Sequence, residues 1–189
     1  MSEHLENPDI PRTAPEIARR AIALHCVIAA SHEVSKDDIS KWLKEENLYK
    51  ELSPWERRFM ETPQNSERDI VQATWRAEAQ VALLWAIKKI DRMDDLTEQC
   101  DTRPLVDAIP DLFTSTSEFI DSAVLRDEEE ISNAYEEVYD IHCQVRVSIK
   151  RGVALAIRYD PGIVQERHYA LNWITGYCGQ DWDEITTDT

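Results

Sequence analysis

Four side chains in this 189-residue sequence are polar or ionisable in the middle of an otherwise apolar helical face: His25, Glu78, His142 and Arg167. With residues placed at about 100° intervals, His25 falls among Ala18, Ala21, Ile22, Ile28 and Ala29, and Glu78 among Val71, Trp75, Val81, Ala82 and Trp85. His142 is bracketed by Tyr135, Val138, Tyr139, Val145 and Ile149, and Arg167 by Ile163, Val164, Leu171 and Ile174. Such faces point inward, where a lone charge costs several kcal/mol and must find a partner. A carboxylate and a guanidinium suit each other through a forked contact. Glu78 and Arg167 are therefore expected to meet in the interior, with at least one of the two histidines nearby. The histidines can join that pair or bond to Tyr135, Tyr139 or a Trp N–H.

Two imidazoles and a carboxylate form the ligand set of many metal enzymes, and the same groups can run general acid–base chemistry. Glu78, Arg167, His25 and His142 are thus the candidate catalytic cluster, and His25, His142 and Glu78 the candidate metal ligands. The spacing argues the other way. Neither H-E-x-x-H nor the E-x-x-H of di-iron bundles occurs, and no cofactor is expected. The competing role for the cluster is a satisfied polar network that fixes how the helices pack. His168 lies on a different side of its helix from Arg167 and is expected to be exposed. No G-x-S-x-G elbow is present, and the tryptophans are spaced as core and rim anchors, without the interleaved cations of a stacking platform.

The elements that must position these residues are helices. Thr13 with Glu16 forms a capping box ahead of a pattern running from Ala14 to Ala30. Ser35 opens a second helix to about Glu46, and Ser53-Pro54-Trp55-Glu56 starts a short one ending before Pro63. Asn65 or Ser66 begins a central helix expected to reach about Asp91; its stretch from Ala79 to Ile87 reads as apolar on all sides, the mark of a buried helix. Short helices are expected near Arg103 to Ile109 and Ser117 to Ser122. A long helix follows from Asp127 to Gly152, with an acidic run at its start and Lys150 and Arg151 at its end complementing the dipole. Residues 153–159 read as a short extended piece. Asp160-Pro161 starts the last helix and Gly176 ends it, with Trp182 of the tail expected to dock on the body.

Composition fits one domain, long enough to bury a core without metal or disulfide staples. Hydrophobic residues make up 42% and charged residues 31%, which excludes intrinsic disorder, and only four glycines argue against Gly-rich phosphate loops. The formal charge is −16; residues 1–95 carry 14 basic and 18 acidic side chains (−4), the remainder 7 and 19 (−12). That field repels nucleic acid and anionic membrane and suits a basic protein partner. Cys26, Cys100, Cys143 and Cys178 show no C-x-x-C pairing, and Cys26 and Cys143, inside helical patterns, read as reduced. The N-terminus, with Glu3, Glu6 and Asp9, lacks a basic n-region and an apolar h-region, so a cytoplasmic location is expected.

Four segments carry a resemblance: Arg12-Thr-Ala-Pro-Glu-Ile-Ala-Arg-Arg-Ala21, Ala73-Thr-Trp-Arg-Ala-Glu-Ala79, Glu166-Arg-His-Tyr-Ala-Leu-Asn-Trp173 and Thr175-Gly-Tyr-Cys-Gly-Gln-Asp-Trp-Asp183. Together they resemble the bacterial domain-of-unknown-function family numbered 4272, from about Arg12 to the C-terminus. The resemblance implies no activity, cofactor or partner, although two of its strings contain Glu78 and Arg167.

The expected architecture is all-α: an irregular bundle of about seven or eight helices around a central apolar helix at 66–91. A flexible N-terminal arm (1–11) precedes a single helical domain (12–189) with an irregular tail (177–189). The expected function is a non-catalytic acidic interaction protein, inhibitor- or immunity-like, binding a basic protein. The alternative is an enzyme or metal protein built on Glu78, Arg167, His25 and His142. Oligomeric state is not legible.

Overall fold

Local capping chemistry sets where the helices begin. In the computed structural model, which describes residues 9–93, 95–152 and 158–189, α1 (Ala14–Ser31) opens on the Thr13/Glu16 capping box and α3 (Pro54–Glu61) on the Ser53/Glu56 box. Ser35 caps α2 (Lys36–Glu45) and Ser66 caps α4 (Glu67–Ala86) through side-chain oxygens that accept backbone N–H groups. The short α5 (Arg103–Ala108) and α6 (Ser117–Asp121) follow. α7 (Glu128–Arg151) starts on an Asp127/Glu130 box and ends at Gly152, whose φ of +61° closes the helix in the left-handed region. α8 (Pro161–Thr175) is capped by Asp160 and ends at Gly176. Eight α-helices and no strand occur among the described residues, so the all-α expectation holds. Residues 153–157 of the expected extended piece lie outside the described residues.

The helices stack in the order α1, α4, α8, α7, with α2, α3 and α6 against α1 and α5 against α4. Being sandwiched between α1 and α8 is what buries α4 on every side from Arg76 to Ala86. No helix among the described residues is long and apolar enough to cross a membrane.

The central helix stops earlier than its apolar pattern, at Ala86 instead of Asp91. Lys88 takes a φ of +58°, which breaks the ladder, and Arg126 then occupies the helix end. Its Nε donates to Trp85 O at 2.7 Å, its Nη2 to Ile90 O and Asp91 O at 3.0 and 2.9 Å, and its backbone N to Ala86 O at 2.8 Å. A cation on orphaned C-terminal carbonyls is favourable by both hydrogen bonding and dipole. The apolar stretch of α4 also contains Gln80, which is 2% exposed.

Residues 9–12 and the C-terminal tail close on the end of α8. Arg12 N donates to Ile174 O at 2.9 Å, and Asp9 Oδ1 accepts from Cys178 N at 2.7 Å. Gly176 permits this approach: its φ is +76°, and a Cβ there would sit 2.1 Å from Ile10 O. Trp182 docks as expected, 4% exposed, with its ring edge-on to Tyr169 and Trp173. The tail is tied by the Tyr169 hydroxyl donating to Trp182 O, by Trp55 N donating to Asp183 Oδ2 at 2.7 Å, and by Asn172 Nδ2 donating to Thr186 O at 2.7 Å.

Candidate functional site

Glu78 sits in the middle of α4 and Arg167 in the middle of α8, and the packing of those two helices brings them together. Arg167 Nη2 and Nε donate to Glu78 Oε2 at 2.8 and 3.3 Å, while Cys100 N donates to Glu78 Oε1 at 2.8 Å. The residues are 0% and 2% exposed, so this is a dry ion pair in which both carboxylate oxygens are engaged. Arg167 also contributes to the wall of a cleft that Glu78 does not line. A carboxylate closed off in this way lacks the access to a substrate that a general base needs. What the pair can do is fix α4 against α8.

The two histidines do not join that pair among the described residues. His142 meets His168 instead, Nδ1 to Nδ1 at 2.8 Å, with the rings edge-on at 5.1 Å between centroids. One imidazole must donate its Nδ1–H to the bare Nδ1 of the other, which requires at least one ring to be neutral. Burial, and then the neighbouring His142, press the pKa of His168 down to about 4; burial and then Arg146 lower that of His142. The expectation that His168 would be exposed is therefore wrong: it is 1% exposed, because α8 is covered by α4 on one flank and α7 on the other. Tyr135 and Tyr139 pack beside the His168 ring at 5.9 and 5.6 Å, and neither bonds His142. His25 lies in a separate pocket between α1, α4 and α5, with its pKa lowered by burial. No group of three or more His, Cys, Asp or Glu able to hold a metal occurs among the described residues.

Some residues placed on inward faces turn outward. Val71, Tyr139 and Ile149 are 48%, 36% and 58% exposed. Val71 and Ile149 lie toward the helix ends, in the first turns of α4 and the last turn of α7.

Face-by-face reading missed two further ion pairs, one buried and one part-buried. Arg76 Nη1 donates to Glu166 Oε2 at 3.0 Å, and Arg20 Nη2 to Glu56 Oε2 at 2.5 Å. Arg76 and Glu78 stand about 200° apart around α4, so their two ion pairs to α8 flank the helix and do not merge. The Arg76 guanidinium also stacks 4.5 Å from the Tyr169 ring centroid, and that of Arg20 lies 4.9 Å from the Trp182 ring. The adjacency Glu166–Arg167 facing Arg76 and Glu78 was the available signal: two opposite-sign doublets on two apolar helices.

With this geometry in view, a family model described as a domain of unknown function, DUF4272, matches residues 5–185. The chain belongs to that family. No curated protein and no solved structure matches it.

Proposed function

We propose that this DUF4272 chain is a non-catalytic protein-binding module that recognises a basic protein partner through the outer face of α7. The observation that carries this reading is the exposure of Glu128, Glu129, Glu136, Glu137 and Asp140 along that helix. Glu129, Glu136 and Asp140 fall within about 40° of one another around the helix axis, so their carboxylates form one stripe. Val147 continues the same line and is 45% exposed, which adds an apolar contact at the end of an acidic track. Charge complementarity of this kind speeds encounter and selects partners. The interior favours the same reading, since Glu56, Glu78 and the part-buried Glu166 each already have a guanidinium partner. A cytoplasmic setting is part of the proposal and is supported by Cys26, Cys143 and Cys178, none of which is in a disulfide.

The test is affinity capture from the native host with the wild-type chain and with a Glu129→Lys/Glu136→Lys/Asp140→Lys variant. A basic protein retained by the wild type at low salt, eluted as salt rises, and lost on the variant supports the proposal. A partner that remains on the variant, or one that is itself acidic, refutes it.

A further inference from the structure

The pocket that holds His25 has a volume of about 360 Å3, within the range of small-molecule sites. Its walls are largely apolar, with Ala29, Ala77, Leu105 and Val106 contributing. Gln80 and His25 interrupt them, and His32, Thr102 and Asp111 complete the polar part of the lining. Gln80 is 2% exposed; its Nε2 donates to Ala21 O at 3.1 Å, and its Oε1 has no partner among the described residues. The Oε1 is not fully enclosed, so it is open to the pocket that Gln80 lines and offers a ligand an acceptor. Ala21 O is also the carbonyl that the α1 ladder assigns to His25 N, so the amide lies beside the turn that carries the imidazole. His25 is half-buried, makes no hydrogen bond among the described residues, and is kept neutral near pH 7 by burial. A neutral imidazole offers one donor and one acceptor. The lining contains no Lys or Arg, and the Asp111 carboxylate disfavours an anion.

We propose that this pocket binds a small uncharged molecule with an apolar, ring-sized body and a hydroxyl or N–H donor. The donor bonds Gln80 Oε1, His25 takes a second polar contact, and the body packs on Ala29, Ala77, Leu105 and Val106. The site is independent of the α7 face, so either can fail without the other.

Titration of the 15N-labelled full chain with phenol, toluene and benzoate, followed by NMR, tests this. Phenol is expected to give saturable shifts at Ala29, Ala77 and Val106, with toluene about tenfold weaker because it lacks the donor. Benzoate should give no saturable shift. Gln80→Leu should weaken phenol by about tenfold and erase its advantage over toluene. Ala29→Phe, which fills the pocket and leaves both polar anchors, should abolish binding. If Gln80→Leu does not fold, the phenol–toluene comparison and Ala29→Phe decide. Absence of saturation in the millimolar range, equal affinity for phenol and toluene, or phenol binding that survives Ala29→Phe overturns the proposal.

Discussion

Removing one partner of the Glu78–Arg167 pair should be far more damaging than removing both. In Glu78→Leu, Arg167 keeps a full charge at 0% exposure with no acceptor for the nitrogens that now donate to Glu78 at 2.8 and 3.3 Å. A buried ion pair broken on one side costs about 3–5 kcal/mol. Cys100 N also loses the acceptor it now has at 2.8 Å, which adds about 1–3 kcal/mol. The sum, about 4–8 kcal/mol, compares with a whole-domain stability of about 5–15 kcal/mol. Glu78→Leu should therefore be largely unfolded near physiological temperature. Glu78→Gln retains an acceptor for Cys100 N and should lose about 3–5 kcal/mol. Glu78→Leu/Arg167→Met removes both charges and takes one acceptor from the Cys100 amide, for a loss of about 1–3 kcal/mol. Urea unfolding of wild type, Glu78→Leu, Arg167→Met and the double variant measures the coupling as a double-mutant cycle. Additive losses, or a Glu78→Leu loss below about 1 kcal/mol, would show that the two groups are solvated or apart and refute the reasoning.

The His142–His168 pair predicts acid sensitivity: the unfolded chain binds protons below about pH 6.5 while His168 resists them to about pH 4. Its contribution is complete above pH 6.5 and falls with pH, by about 2 kcal/mol between pH 6.5 and 5, ahead of most carboxylates. Urea midpoints should drop over that interval and do so less in His142→Phe/His168→Phe; equal slopes would contradict this. Trp182→Ala should cost about 3–5 kcal/mol and abolish the ring contacts with Tyr169 and Trp173, read by urea unfolding and near-ultraviolet circular dichroism. Gly176→Ala forces a Cβ against Ile10 O at φ +76°, at a cost of about 1–3 kcal/mol. It should also speed hydrogen exchange at Arg12 N, now bonded to Ile174 O at 2.9 Å.

The fold was legible where its causes are local. Thr13, Ser35, Ser53, Ser66, Asp127, Asp160 and Gly176 act within a few residues of themselves, so helix limits set by them follow from sequence. The end of α4 was not legible because Ile87 and Ile90 prolong the apolar pattern, while Arg126, brought in by the fold, takes the carbonyls. Glu78 and Arg167 were legible because each stands alone on an apolar face. Arg76–Glu166 and the burial of His168 were hidden by a different cause. A helix covered on two flanks buries residues that a single-face reading assigns to solvent, as α4 and α8 both do. His25 illustrates the remaining limit: periodicity says that a face is inward, but not whether it meets another side chain or an empty pocket.

Under the proposed function, a basic partner meets the acidic outer face of α7 and not the buried charges. Calorimetric titration of the captured partner at about 50 and 300 mM salt tests it most directly, because exposed charges are screened over that range while a dry apolar contact is not. At least about a tenfold rise in Kd is expected at the higher salt, largely removed in the Glu129→Lys/Glu136→Lys/Asp140→Lys variant. A Kd unchanged by salt, or tight binding by that variant, would contradict it.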